Sequence, residues 1–98
     1  MYRYIISPSA SQDLNAIADY FLEVNIAVGE NLFQEFNKKC RNLEKFPNIG
    51  RSYNDLKPGL RGLHLDGYII FYRVTDETVE ILRVVSGRQN LAILFADD

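Results

Sequence analysis

Two stretches in the second half of the chain, residues 68–74 and 79–85, are dense in apolar and aromatic side chains. The polar run Thr75-Asp76-Glu77-Thr78 separates them, which predicts two antiparallel strands joined by a tight turn. Neither strand alternates cleanly between apolar and polar residues, as a strand covered on one face only would. The pattern therefore predicts a sheet with two faces to cover, and it favours a protein that holds a partner against that sheet.

A first helix is predicted from Ser7-Pro8 to about Val24. Serine is a good N-cap and proline suits the first helical position, although Ser9 with Gln12 offers a competing capping box. One apolar stripe at helical spacing marks the face that we expect to be buried: Leu14, Ile17, Ala18, Phe21 and Leu22.

A second helix is predicted from about Val28 to Lys45, after a turn over residues 25–29. Pro47 and Gly50 end it, because proline cannot donate to the helix ladder and glycine can turn. Since the link is short, the two helices should form an antiparallel hairpin. The buried stripe of the second helix is Leu32, Phe33, Phe36, Cys40 and Leu43.

The remaining segments complete a two-layer α+β fold. Tyr2–Ile6 and Leu60–Leu65 read as further strands, Asp66-Gly67 is a strong hairpin turn, and residues 51–59 read as a polar loop. The tail, residues 88–98, is open between a short helical turn and a strand that folds back. The order is β-α-α-β-β-β: an antiparallel helical hairpin packed on a small, mostly antiparallel sheet, in a single domain over residues 1–98.

Two-residue turns at Asp66-Gly67 and Asp76-Glu77 fix which side chains share a face, and a slip of one residue would exchange the faces. The face assigned to the helices carries Leu63, Leu65, Tyr68, Ile70, Tyr72, Val74, Val79, Ile81 and Val85, with Arg83 among them. The other face carries His64, Ile69, Phe71, Arg73, Glu80, Leu82, Val84 and Ser86. Its apolar centre with polar residues around it has the form of a partner site. The alternative is that the C-terminal segment folds over it.

Composition describes an ordinary globular chain, with 98 residues, a hydrophobic share of 47% and a net charge of -2. No run approaches the roughly 20 apolar residues of a membrane span. The N-terminus has no secretory pattern, so we expect a cytoplasmic protein. The slight acidity favours a protein partner over direct, sequence-specific binding to nucleic acid. Cys40 is the only cysteine and is expected to be a small buried hydrophobe.

Candidate functional residues are cationic or aromatic, and we expect no catalytic set, metal site or cofactor. Arg61, His64, Arg73 and Arg88 cluster in the sheet half, where arginine is a favoured interface anchor. Phe71 belongs to the apolar centre, and Tyr20 lies one position off the helical stripe, which makes it a candidate for a groove on the hairpin. These six residues are the predicted partner-binding set. Arg83, in contrast, is expected to need a carboxylate partner and to be structural.

An ordered set of motifs over nearly the whole chain resembles the ParE toxins of bacterial toxin–antitoxin modules, within the RelE/ParE superfamily. The matching pieces are Ser7-Pro8-x-Ala10, Asp13-Leu14-x-x-Ile17, Asp19-Tyr20, Pro47-x-x-Gly50-Arg51, Leu60-Arg61, Gly67-Tyr68-x-Ile70-Phe71-Tyr72-Arg73-Val74, Ile81-Leu82-Arg83-Val84-x-x-Gly87-Arg88 and Leu94-Phe95. The resemblance implies a non-enzymatic toxin that inhibits DNA gyrase and blocks replication. It also implies a ParD-type antitoxin that binds the hairpin and the sheet, within a hetero-oligomer.

Two alternatives remain beside the gyrase inhibitor. The first is a ribosome-dependent ribonuclease of the RelE branch, but Ile69, Gln89 and Phe95 stand where that branch has two arginines and a tyrosine. The second is a degenerate toxin that only binds its antitoxin. It stays open because many ParE chains end the fourth predicted strand with His-Gly-x-Arg-Asp, where this chain has Ser86-Gly87-Arg88-Gln89-Asn90.

Overall fold

The computed structural model describes residues 2–96. Its elements are β1 (Arg3–Ile6), α1 (Pro8–Val24), α2 (Ile26–Lys45), β2 (Arg51–Ser52), β3 (Arg61–Leu65), β4 (Tyr68–Thr75), β5 (Thr78–Ser86) and α3 (Leu91–Leu94). The α+β class and the predicted order are confirmed. The two-residue strand β2 is an addition inside the segment expected to be loop. Residues 97 and 98 of the predicted tail lie outside the described residues, and the part before them contains the helical turn α3.

The five strands lie in the order β1-β5-β4-β3-β2. β1 pairs in parallel with β5, while the other neighbouring pairs are antiparallel. The helical hairpin therefore returns the chain to the far edge of the sheet, and the strands β3, β4 and β5 then cross back as a meander.

Local hydrogen bonds explain where the long helices begin. The Ser7 hydroxyl accepts the N–H of Ala10 at 3.1 Å, so Ser7 is the N-cap, as expected from the Ser7-Pro8 pair. α2 begins two residues earlier than predicted, since the Asn25 side chain accepts the N–H of Val28 at 3.2 Å. Asn25 also donates its own N–H to the carbonyl of Phe21, so one residue ends α1 and starts α2.

The predicted register is correct between β3 and β4 and in the first part of β5, but it is wrong by one residue in the rest of β5. Leu63 opposes Ile70 and Tyr72 opposes Ile81, as expected. A β-bulge opposite Phe71 and Tyr72 then inserts Leu82 into β5, so Ile70 opposes Val84 instead of Arg83. Beyond the bulge the faces are exchanged.

Val84 therefore packs with the helices and Val85 on the opposite face, the reverse of the sequence assignment. The extra residue adds one step to a period of two, which moves Val84, Val85 and Ser86 to the other face. Ser86 now opposes Tyr68 for the same reason.

Two apolar clusters sandwich the sheet. The helix-side core is centred on Ala10, Ile17, Leu32, Phe36, Cys40, Leu43, Leu65, Ile70, Tyr72, Val79, Ile81 and Val84. The outer core consists of Tyr53, Leu60, Ile69, Phe71 and Val85, with Leu56, Leu82, Leu91, Leu94 and Phe95 packed against it. Residues 91–95, the C-terminal strap, thus cover the apolar centre in the isolated chain.

Candidate partner-binding site on the helical hairpin

A groove runs between α1 and α2 of the hairpin and is lined by residues of both helices. It has a volume of about 360 Å³. Leu22 and Ile26 stand beside it, 64% and 56% exposed. The residues that line this hairpin groove are Ala18, Phe21, Leu22, Ile26, Gly29, Glu30, Phe33, Gln34 and Asn37.

Gly29 lets the two helices approach closely enough to form the floor of the groove. A Cβ atom at this position would lie 2.6 Å from the Cβ of Phe21, closer than real side chains come. Phe21 and Phe33 are partly buried in the groove, whereas Leu22 and Ile26 are exposed at its rim near the hairpin tip. The groove is therefore a consequence of a glycine facing an aromatic residue next to a tight turn.

The lining of the hairpin groove suits the binding of an apolar partner better than it suits catalysis. Its side chains are mostly aliphatic or aromatic, and Glu30 supplies its only formal charge. A shallow apolar channel along two helices is the kind of surface into which an amphipathic helix lays its apolar face.

Tyr20 is 56% exposed but does not line the hairpin groove. It packs edge-on against Phe21 with the ring centres 5.0 Å apart. Burial raises the pKa of the Tyr68 hydroxyl, and the electrostatic influence of Tyr20 raises it further. Tyr20 thus lies on the flank of α1 that faces Tyr68, at the start of β4.

Arg61 and Phe71 have structural contacts. The Arg61 guanidinium donates to the carbonyl oxygens of Gly50 at 2.7 Å and Asn48 at 3.3 Å, which ties the segment after α2 to the sheet. The Phe71 ring is fully buried between those of Tyr53 and Phe95, with centroid distances of 5.1 and 4.9 Å. A partner would reach Phe71 only after the strap had moved.

The other three predicted residues are accessible but spread out. His64 is exposed on β3, and Arg88 is exposed in the turn after β5, where its N–H donates to the Ser86 hydroxyl at 3.2 Å. Arg73 contacts Glu80 at 3.1 Å across β4 and β5, the pair expected from the sequence. The structure does not bring these three side chains and Tyr20 to one surface.

Arg83 has the carboxylate partner that its position requires. Its Nε and Nη2 atoms donate to the Asp13 carboxylate at 2.8 and 3.0 Å. The hydrogen bonds to Asp13 raise the pKa of Arg83, although burial acts in the opposite direction. Within residues 2–96 no group of three or more His, Cys, Asp or Glu residues is placed to hold a metal ion.

Burial raises the pKa of the Cys40 thiol from 9.0 to about 12, with Glu44 adding to the effect. The thiol is therefore neutral and unreactive near pH 7. Among the described helices, none is both long and apolar enough to cross a membrane.

Sequence reasoning missed the residues that form the groove rims. Leu22 was assigned to the buried stripe and Ile26 to the turn, yet both are exposed. A usable signal was present: Leu22, Val24, Ile26 and Val28 place four apolar residues around a surface turn, where polar residues are the usual choice. The position of Gly29 opposite Phe21 has no such signal, because it depends on how the helices pack.

Comparisons with known proteins find relatives that all belong to one family of toxins. A family model described as the ParE toxin of the type II toxin–antitoxin system parDE matches residues 4–91. Toxin ParE3 of Caulobacter vibrioides is 34% identical over 93 residues, covering 94% of this chain and 93% of that protein. Toxin ParE1 of Mycobacterium tuberculosis is 31% identical over 91 residues, covering 91% and 93%.

A solved structure has the same fold. It is described as a chromosomal ParDE toxin–antitoxin system from P. aeruginosa, and its matched chain superposes with a TM-score of 0.73 at 24% identity. The match covers 88% of this chain and 96% of the other.

Proposed function

The chain belongs to the ParE toxin family of type II toxin–antitoxin systems, and on that premise we propose that it inhibits DNA gyrase and is neutralised by a ParD-type antitoxin. It acts by binding and not by catalysis. Gyrase and the antitoxin are both expected to bind the surface of this chain. The proposal therefore assigns one surface to the antitoxin and another to gyrase.

The antitoxin site is the hairpin groove. The observation that carries this assignment is the exposure of Leu22 and Ile26 in a channel that Phe21 and Phe33 also line. Large apolar side chains around a concave surface mark interaction sites. The description of the structurally similar P. aeruginosa chain as part of a ParDE system supports the kind of partner.

A lysine at position 22 tests the antitoxin site. The new charge of Leu22→Lys lies at the exposed rim of the groove, so the fold should tolerate it. We expect the affinity for the cognate ParD-type antitoxin to fall about 10- to 100-fold, as for a central interface residue. The matched control is Ile93→Lys, which changes a side chain that is 71% exposed on α3, on the opposite layer. Equal affinities for the two variants in titration calorimetry would place the antitoxin elsewhere.

The gyrase site is assigned to two accessible arginines of the sheet half, Arg73 on β4 and Arg88 in the turn after β5. Arginine makes planar, bidentate contacts that suit an interface. The ring of Phe95 packs on Phe71 at 4.9 Å, which supports a structural role at the position where RelE ribonucleases have a tyrosine.

Supercoiling of relaxed plasmid by purified gyrase tests the proposed activity. Added toxin should abolish supercoiling and accumulate linear DNA, and Arg88→Ala should need several-fold more protein for the same effect. Normal supercoiling without linear product, at a large excess of folded toxin, would contradict gyrase inhibition for that enzyme.

The same supercoiling assay tests the alternative that the chain is a degenerate toxin with reduced activity against gyrase. If the wild type is weak and Ser86→His with Gln89→Arg makes it potent, the altered run after β5 has reduced the activity. Unchanged potency would show that these two positions do not matter. Because Ser86 accepts the Arg88 N–H at 3.2 Å, circular dichroism of the variant must first show an intact fold.

A further inference from the structure

The two ends of the hairpin groove carry opposite charge. Near the tip, where α1 turns into α2 at Asn25, the exposed side chains Asp19, Glu23 and Glu30 supply negative charge. Toward the far end of α2, Lys38, Arg41 and Lys45 supply positive charge. These basic residues line a shallow depression on α2 together with Asn42 and Glu44, so three cations stand against one carboxylate there.

The distance between the charged ends is set by the helix itself. Glu30 and Arg41 are eleven residues apart on α2, which corresponds to about 16 Å along the axis. That is roughly twice the Debye length of about 8 Å at physiological salt. Each end therefore acts on the part of a bound segment that lies nearest to it.

Most of these charges are available to a partner. Lys38 has a contact of 3.5 Å with Glu35, in which both side chains are well exposed. In the part of the chain that the structure describes, no ion pair involves Asp19, Glu23, Glu30, Arg41 or Lys45. A bound segment thus has little internal pairing to displace.

We propose that the segment bound in the hairpin groove is an amphipathic helix of about three turns with basic residues over the tip and acidic residues over the far end. This inference rests on the proposed antitoxin site and adds its direction and charge order. The apolar floor alone accepts a helix in either direction, whereas the two charged ends favour one. The same arrangement rejects antitoxin segments with a uniform charge, because one end always repels them.

Two synthetic peptides of about 18 residues test the charge order on the full chain. Both have the same composition and the same leucine stripe. In the block peptide the lysines occupy one half and the glutamates the other, while in the control peptide they alternate. We expect the block peptide to bind about tenfold more tightly in low salt, and the difference to vanish near 1 M NaCl, where the Debye length is about 3 Å.

The direction is measured separately. A nitroxide on the basic end of the block peptide should broaden the NMR signals of Leu22 and Ile26, which lie at the tip. In the charge-reversed variant Glu30→Lys/Arg41→Glu, the broadening should weaken at the tip and the preference for the block peptide should fall at least several-fold. Both changes are at exposed positions.

The outcomes separate the two proposals. Equal affinity of the two peptides, or equal broadening at both ends, overturns the charge order and leaves the groove as the antitoxin site. Binding of neither peptide, at concentrations where the antitoxin itself binds, overturns the charge order together with the assignment of the groove.

Discussion

The two faces of the sheet are covered by different means. On the helix side, polar contacts anchor the hairpin: the Asp13 carboxylate accepts from Arg83 at 2.8 and 3.0 Å and from the N–H of Val84 at 2.9 Å. On the outer side, the loop 53–60 and the strap pack through rings, with Phe71 as the centre of the stack. Hydrogen bonds between the layers fix the first cover, whereas stacked aromatic rings hold the second.

The difference shows which parts of the molecule are positioned precisely and which are held more loosely. The backbone hydrogen bonds of the strap stay local: Leu94 donates to Asn90, Phe95 to Leu91 and Ala96 to Ile93. Segments held by few contacts and no ladder open at lower free energy than a core does. The hairpin groove therefore sits on a rigid base, whereas the Phe71 surface lies under a cover that can open locally.

Among the substitutions that test this difference between the two covers, Asp13→Ala should cause the largest loss of stability. The change leaves Arg83 and the N–H of Val84 without their acceptor, and we expect a loss of about 3 kcal/mol in the free energy of unfolding. Urea unfolding measures it. The control is Glu80→Ala, which removes the partly exposed partner of Arg73 and should cost less than about 1 kcal/mol. Similar losses in both variants would mean that Asp13 is not an anchor.

Alkaline pH should lower the free energy of unfolding through ionisable groups on the helix side of the sheet. The buried thiol and phenols with a raised pKa, Tyr4, Cys40, Tyr68 and Tyr72, all lie there. For Cys40 the pKa is 9.0 unfolded and about 12 folded. The unfolded state therefore loses its proton first, and stability falls as pH rises through this window, by up to about 1.4 kcal/mol per pH unit.

Cys40→Ala is the control for that titration. It removes the thiol, so its stability should change less between about pH 9 and pH 11 than that of the wild type. The tyrosines give both proteins a remaining slope above their ordinary pKa of 10.0. Parallel curves would show that the Cys40 proton is not linked to unfolding.

The sequence predicts those parts of the fold that follow from local rules. Helical stripes, the Ser7 cap and the two-residue turns each depend on a few neighbouring residues, and they are enough for the α+β class and the strand order. The position of Leu82 in a bulge does not follow from them. Next to the bulge, Asp13 of α1 accepts hydrogen bonds from Arg83 and from the N–H of Val84, a contact between residues far apart in sequence.

The candidate site was less accessible to sequence reasoning than the fold. Periodicity identifies Phe21 and Leu22 as one apolar stripe, but only the crossing of the helices at Gly29 decides that Leu22 remains exposed on a rim. Tyr20 is exposed as expected, yet it lies on the flank away from the groove, beside Tyr68. β2 is too short, at two residues, to carry a pattern of its own.

The same chemical change on each face gives a smaller, more direct comparison. The Tyr72 hydroxyl accepts the buried N–H of Gly50 at 2.9 Å and donates to the carbonyl of Pro47 at 2.8 Å. Tyr72→Phe leaves that N–H unsatisfied and should cost about 2 kcal/mol. Tyr53→Phe removes a hydroxyl from the outer core and should cost less than about 0.5 kcal/mol, as for changes away from such networks. Equal costs in thermal unfolding would contradict the polar-anchor account.

Among the variants designed to weaken a cover, Phe95→Ala should have the smallest effect on global stability, because it removes only the outer ring of the Phe71 stack. Packing and the aromatic contact together suggest a loss of about 1–2 kcal/mol, felt mainly as opening of the strap. In hydrogen exchange, the amides of Leu94 and Phe95 should exchange faster while those of α2 keep their protection. Ile93→Ala, at an exposed position of the same strap, should leave both sets unchanged. If the α2 amides of Phe95→Ala lost protection together with the strap, the two covers would belong to one cooperative unit, and the Phe71 surface would become accessible only on global unfolding.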